Sequence, residues 1–358
     1  MAKVGKFIAQ IYHFPFLLQE IWSIYAIIKG MDEYSDGKST PRICFLLIGY
    51  SRLHLLLENV ERCKSACQEL NSIYISVDGA REESEDQSIA LSDLDVLGFS
   101  HLGKTKCKVK KWPSNLGPDR HIPEAIDWVF QENDGVIVIE DDIKLSSQSL
   151  RDIRDLLTKQ ILSAAIEPVV SMSGIGGLAK VPNLWRHTPY FTAWGYGLTY
   201  GFWSMHKNQS FEIQSGISIN QYMQTSKIWQ KMSERKRSIW EERIKRGNYD
   251  YQIQATLFKE SMNVKAPVFR MSDNVGHGDS LSTHTRFTTP RYLRRSFERR
   301  NYKFKGELKS QIISRLLIFV DSNTWAGDGV LSVRGRTAGI RTTLRGLASH
   351  IKRRDNNA

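Results

Sequence analysis

Three adjacent carboxylates, Glu140, Asp141 and Asp142, follow directly on a run of β-branched residues from Val136 to Ile139. Carboxylates crowded at the end of a buried strand repel one another and lose hydration, so they call for a neutralising cation. Hard oxygen donors of this kind suit Mg²⁺ or Mn²⁺, which can bridge onward to the oxygens of a diphosphate. The plainer role is helix capping, since Asp142 leads toward a helical segment from Ser147 to Ile161. Other polar residues sit in comparable places. Ser51 and Arg52 follow an apolar run from Arg42 to Gly49, Asp78 ends the run Ser72 to Val77, and Asn115 to His121 follow Lys106 to Lys111.

The segments carrying these residues alternate β-rich runs with amphipathic helical stretches, which predicts an α/β fold on a mostly parallel sheet. Strands are expected at Arg42 to Gly49, Ser72 to Val77, Lys106 to Lys111 and Gly135 to Ile139, and helices at Leu53 to Leu70, Arg81 to Leu97 and Pro123 to Gln131. In open sheets of this type ligands collect outside the carboxyl ends of the strands. Arg52, His121, Asp78 and the three carboxylates of the triplet would therefore share a rim. Neither G-x-G-x-x-G after the first strand nor G-x-x-x-x-G-K-[ST] occurs, which removes the usual support for dinucleotide and P-loop sites.

The 358 residues are 41% hydrophobic and 25% charged, a balance that excludes disorder, collagen and coiled coil. Net charge is +12, and 16 basic against 5 acidic residues lie between Arg291 and Ala358. The surplus points to an anionic partner. Cys44, Cys63, Cys67 and Cys107 have neither C-x-x-C spacing nor the density of a disulfide scaffold, and read as reduced thiols in a cytoplasmic setting. The stretch Phe7 to Ile28 is apolar but interrupted by Gln10, His13, Pro15, Gln19 and Glu20. It is expected to be a helix on a membrane surface or on the body of the protein rather than a span or a signal peptide.

The ordered set of motifs resembles a GT-A glycosyltransferase, more narrowly the N-acetylglucosaminyltransferase I type. Pro41-Arg42-Ile43-Cys44-Phe45 with Ser51-Arg52, Ile75-Ser76-Val77-Asp78-Gly79, Asp119-Arg120-His121 and Val136 to Asp142 resemble its donor half. Trp194-Gly195-Tyr196-Gly197, Tyr249-Asp250-Tyr251-Gln252 and the stretch from Ser272 to Thr285 are similar to its acceptor half, so the likeness spans about Pro41 to Arg286. The division implied is an N-terminal segment and linker at 1–40, a donor half at 41–150, an acceptor and catalytic half at 151–290 and a basic extension at 291–358.

The resemblance implies a metal-dependent, inverting transfer of a sugar, GlcNAc from UDP-GlcNAc being favoured over glucose or galactose. Arg52, Asp78 and His121 would bind the nucleotide: an arginine can meet the diphosphate, a carboxylate can accept the uracil N3–H, and a histidine can donate to a ring carbonyl. Taken alone, His121 reads as a satisfied structural histidine. Asp142 would ligate Mn²⁺ or Mg²⁺, with Glu140 and Asp141 near the ribose, sugar or metal waters. Asp250 would be the base that takes the acceptor proton, or the N-cap of a helix from Tyr251 to Glu260. Trp194 and Tyr196 would stack on acceptor sugar rings, and Trp185 and Trp203 are further aromatic candidates, with Trp203 read as core. His277 and Asp279, in a glycine-bounded loop, would close over the donor sugar.

The family's luminal members carry a membrane anchor, stem and disulfides that this sequence does not display. The expectation is therefore a bacterial-type relative in polysaccharide or lipopolysaccharide synthesis, in the cytoplasm or on the inner membrane face. Basic and apolar residues interleave after Arg291, a pattern suited to an anionic membrane surface and a lipid-linked or glycan acceptor. A solvated tail is the plainer reading. A nucleic-acid binder lacks any matching signature, and a non-catalytic sugar-binding protein is the remaining alternative.

Overall fold

The computed structural model describes residues 40–67, 72–80, 106–163, 169–171, 183–214, 217–268, 271–275, 304–307 and 318. The N-terminal segment, the helix expected at Arg81 to Leu97, His277, Asp279 and nearly all of the basic extension lie outside the described residues.

The chain forms β1 (Ile43–Gly49), α1 (Leu53–Ala66), β2 (Ser72–Val77), β3 (Lys106–Lys111), α2 (Pro118–Val129), β4 (Gly135–Glu140), β5 (Ile143–Leu145) and α3 (Ser147–Leu162). β1 is buried along its whole length, as its unbroken apolar run requires of a central parallel strand. It pairs in parallel with β2 on one side and β4 on the other, and β2 pairs in parallel with β3. α2 starts five residues before the predicted Pro123, because Pro118 opens its first turn and Gly117, at φ +71°, swings the chain into it. His121 therefore belongs to a helix turn and not to a loop.

The second half adds β6 (Val169–Ser171), β7 (Asn183–Thr188), β8 (Tyr196–Thr199), α4 (Tyr200–Gln214), α5 (Ile219–Tyr222), α6 (Lys227–Lys231), α7 (Glu234–Lys245), α8 (Tyr249–Lys259), β9 (Val264–Pro267), β10 (Ser272–Asn274) and β11 (Phe304–Glu307). Both halves share one nine-stranded sheet of order β11-β7-β9-β6-β8-β4-β1-β2-β3, with β8 antiparallel to β4 and β6. A separate antiparallel ribbon joins β5 to β10. Fold class and mostly parallel sheet agree with the sequence reading.

Alternate strand residues feed two cores, as the period of a strand dictates. Phe45, Leu47, Ile73 and Ile75 pack with Leu56 and Val60 of α1 and Ile153 and Leu157 of α3. Leu46, Tyr74, Val136 and Val138 face α2, α4 and α8 through Ile126, Phe202 and Ile253. A third cluster binds α5 to α7 onto α8 through Tyr222, Trp229, Trp240 and Phe258. Among the described residues no helix is long and apolar enough to cross a membrane.

From β1 the chain steps outward to β2 and β3, then returns to place β4 on the other side of β1. The carboxyl ends of β1 and β4 thus flank a topological switch point, the place where open α/β sheets bind ligands.

Candidate active site at the switch point

Arg52 leaves β1 and the acidic triplet leaves β4, so both sit at that switch point. Backbone bonds lock the edge: Asp78 N–H donates to Gly49 O at 3.0 Å and Asp141 N–H to Ile48 O at 2.9 Å. The triplet turns sharply into the β5–β10 ribbon, where Val275 N–H donates to Asp142 O at 2.8 Å. Asn59, buried in α1, braces the turn from beneath by directing its amide at the carbonyls of Glu140, Asp141 and Ile143, at 3.3, 3.2 and 3.1 Å. Helix capping does not explain Asp142: the N-cap of α3 is Ser146, whose Oγ accepts from Ser149 N–H at 3.1 Å.

The cation facing these carboxylates is Arg52. Its Nε donates to Asp141 Oδ2 at 3.2 Å and its NH1 to Asp142 Oδ2 at 3.3 Å, while NH2 meets Asp141 Oδ1. The sequence reading aimed this arginine at a diphosphate and did not foresee its partners. Burial raises the Asp141 carboxyl to about 6, against the opposing pull of Arg52. Burial, then the Asp142 charge, lifts Glu140 to about 8; Tyr249 OH, donating to Glu140 Oε1 at 3.0 Å, works in the other direction.

Asp250 follows Tyr249, whose OH bonds Glu140, and its charge adds to the rise of Glu140. It lies in the first turn of α8 and accepts from Tyr251 N–H at 2.9 Å, so it is not the N-cap. Asp119 of α2 supplies the missing cap across the fold: its oxygens accept from Tyr249 N–H at 3.2 Å and Asn248 Nδ2 at 3.1 Å. Burial, with the Asp119 charge in support, raises Asp250 to about 6.

Asp78 and His121 form a second group with a different occupation. Asp78 Oδ1 accepts from the N–H groups of Gly79 and Leu116 at 2.9 and 2.8 Å, and Oδ2 from Gly117 N–H and Asn115 Nδ2 at 2.9 and 3.2 Å. These four donors fill its acceptor sites and tie the loop after β3 to the end of β2. A Cβ on Gly79 would come within 2.3 Å of the Ser114 carbonyl carbon, which is why no larger residue follows Asp78. His121 Nε2 lies 2.8 Å from Ser76 Oγ, which also accepts from Trp112 Nε1 at 2.9 Å. Burial lowers His121 to about 4, so it stays neutral near pH 7. In this arrangement both are bonded to the protein itself.

The aromatic expectations divide. Tyr196 is fully buried in β8 with its ring edge-on to Phe191, so it offers no face to a sugar. Burial raises its hydroxyl, and the charges of Glu140 and Asp250 add to that rise. Its flanking glycines serve β8 and the approach of Leu145, whose Cδ1 would lie 2.7 Å from a Cβ on Gly195 at φ +80°. Trp194 stays partly exposed against the α1–α3 core. Trp185 and Trp203 are core residues, and Trp203 Nε1 donates to Asp127 Oδ1 at 2.7 Å.

Sequence reasoning missed Asn59, Asp119 and Tyr249. Asn59 carried a usable signal, a polar residue on the buried stripe of an amphipathic helix, which must find internal partners.

Among the described residues no group of three His, Cys, Asp or Glu side chains converges to cage a metal. Asp142 nevertheless fits a divalent cation as a single protein ligand: one oxygen meets Arg52, and the side chain is 19% exposed. An ion that takes its other ligands from a diphosphate and water suits such a donor set.

No protein-family model and no curated protein matches the chain. Solved structures similar to it include S. aureus TarS 1–349, 11% identical over 63% of this chain and 57% of that one, with a TM-score of 0.37. The mannosyltransferase PcManGT of Pyrobaculum calidifontis, in complex with GDP-Man and Mn²⁺, is 11% identical over 51% and 53%, with a TM-score of 0.33. The glycosyltransferase GlyE of Streptococcus pneumoniae TIGR4 is 12% identical over 64% and 45%, with a TM-score of 0.33. The chain thus spans about half the length of these proteins.

Proposed function

We propose that this protein is a glycosyltransferase that moves a sugar from a nucleoside-diphospho-sugar to a hydroxyl of a saccharide or lipid-linked glycan. The observation that carries the reading is the meeting, at the β1–β4 switch point, of Arg52 with Asp141 and Asp142 and of Tyr249, the neighbour of Asp250, with Glu140, from three separate parts of the chain.

The donor diphosphate would lie at the switch point against Arg52 and Asp142. Mn²⁺ or Mg²⁺ at Asp142 would supply charge stabilisation for the departing nucleoside diphosphate. Asp250 accepts the proton of the acceptor hydroxyl as its oxygen bonds to the anomeric carbon and the bond from that carbon to the diphosphate breaks. A single displacement of this kind inverts the anomeric centre. With its carboxyl raised to about 6, Asp250 is ionised at pH 7 and is a stronger base than an ordinary aspartate. Asp119 positions it by capping α8, and Tyr249 holds Glu140 beside it.

UDP-GlcNAc as donor, bacterial polysaccharide or lipopolysaccharide as product, and docking of the basic segment after Arg291 on an anionic membrane surface are the finer parts of the proposal. The test is release of nucleoside diphosphate from UDP- and GDP-sugars with a panel of glycan acceptors, on wild type and Asp250→Asn. Acceptor-stimulated release that falls by about 10²–10⁴ in the variant is the outcome expected for loss of a general base. Equal release by both would remove Asp250 from the mechanism.

A further inference from the structure

Arg52 already holds one oxygen of Asp142, the carboxylate that a divalent cation would use. The guanidinium fork occupies both oxygens of Asp141 and one of Asp142, at side chains 14%, 7% and 19% exposed, respectively. The neighbouring cations are engaged elsewhere: Lys144 Nζ lies 2.5 Å from Glu58 Oε2, and Arg62 spans Glu58 and Asn59. Asn59 fixes the backbone of the acidic turn from beneath, and Arg52 itself begins α1, its carbonyl accepting from Leu55 and Leu56 N–H at 3.1 Å each. Any exchange of partners therefore falls to the long Arg52 side chain.

We propose that Arg52 is the internal counter-cation of the Asp141–Asp142 pair and a barrier to metal binding that a diphosphate lifts. A cation arriving alone meets a guanidinium already seated on its ligand. It must either sit beside that like charge on Asp142 or displace Arg52 from Asp142 and leave it on Asp141 alone, and both are costly. A diphosphate changes the balance, because its oxygens accept the planar fork bidentately and frees Asp142 for the metal. Metal and nucleotide are then taken up together, each raising the affinity for the other by the same factor. The inference rests on the donor-site reading above.

The test is titration of the full chain with Mn²⁺, reading free Mn²⁺ by electron paramagnetic resonance, with and without UDP, for wild type, Arg52→Gln and Arg52→Lys. For wild type, UDP should tighten Mn²⁺ binding at least about tenfold. Arg52→Gln removes the competing charge, so Mn²⁺ alone should bind at least about tenfold more tightly than to wild type, with a smaller added effect of UDP. Arg52→Lys keeps the charge but loses the fork, and should fall between them. It also serves as the readout if Arg52→Gln does not fold by circular dichroism. Mn²⁺ affinity without UDP that is equal across wild type and the folded variants overturns the counter-cation role. UDP leaving wild-type Mn²⁺ affinity unchanged, while Arg52→Gln still binds Mn²⁺ more tightly, upholds the competition and overturns the donor-site reading instead.

Discussion

Asp78 offers the sharpest separation between a group that reads a nucleobase and one that holds a loop. Asp78→Asn replaces one carboxylate oxygen with an NH₂. Whichever way the amide turns, it faces two donors: either the N–H groups of Gly79 and Leu116, or those of Asn115 and Gly117. Hydrogen bonds to a charged group contribute about 1.5–3 kcal/mol each, so two lost bonds give roughly 3–6 kcal/mol. Water reaching the half-buried loop places the expected loss near the low end, about 3 kcal/mol, equivalent to a fall in Tm of roughly 6–12 °C at about 2–4 °C per kcal/mol. The assay is scanning calorimetry at fixed pH and salt, joined to hydrogen exchange of the Leu116 and Gly117 amides, which should lose protection. A Tm within about 1 °C of wild type and unchanged exchange, with nucleotide binding lost, would refute the loop-holding role and return Asp78 to the base.

Three further outcomes follow from the same geometry. Asn59→Leu removes the donors to three carbonyls under the acidic turn and should destabilise the chain by about 1–3 kcal/mol in urea unfolding; an unchanged midpoint would show that the brace is dispensable. Because Asp250 must be ionised to accept a proton and is raised to about 6, kcat/KM for transfer should fall as pH drops through about 6, following one proton; a profile flat between pH 5 and 8 would contradict the assignment. His206, beside Thr256 Oγ1 at 2.9 Å, is lowered by burial to about 4, so the unfolded chain binds its proton first as pH falls below the ordinary 6.5. Its contribution is present above pH 6.5 and is lost toward pH 4, by about 3 kcal/mol, and the gap in unfolding free energy between wild type and His206→Gln should narrow by that amount over this range. A constant gap would show that His206 titrates normally.

The central strands were legible because parallel strands buried on both faces leave unbroken apolar runs, as in Ile43–Gly49 and Gly135–Glu140. The polar ends of β1 and β4 lie side by side, where Arg52 meets Asp141 and Asp142. What the sequence could not display was pairing at long range. Arg52 finds Asp141 across 89 positions, and Asp119 caps α8 across 130, with no local pattern to announce either. Short strands such as Val169–Ser171 and Val264–Pro267 carry too few residues for a period to emerge, so the sheet order beyond β8 stayed hidden. Tyr196 misled for a physical reason: an aromatic beside glycines suits a sugar-binding surface, but here the glycines let Leu145 and α3 pack closely on a buried strand.

The most direct test of a donor site at the β1–β4 switch point is calorimetric titration of UDP-GlcNAc, other UDP-sugars and GDP-mannose into wild type and Asp142→Ala, with and without Mn²⁺. Mn²⁺-dependent binding of one sugar nucleotide to wild type, lost in a folded Asp142→Ala, is the expected result. Absence of binding by any of them to folded wild type, or undiminished binding to Asp142→Ala, would contradict it.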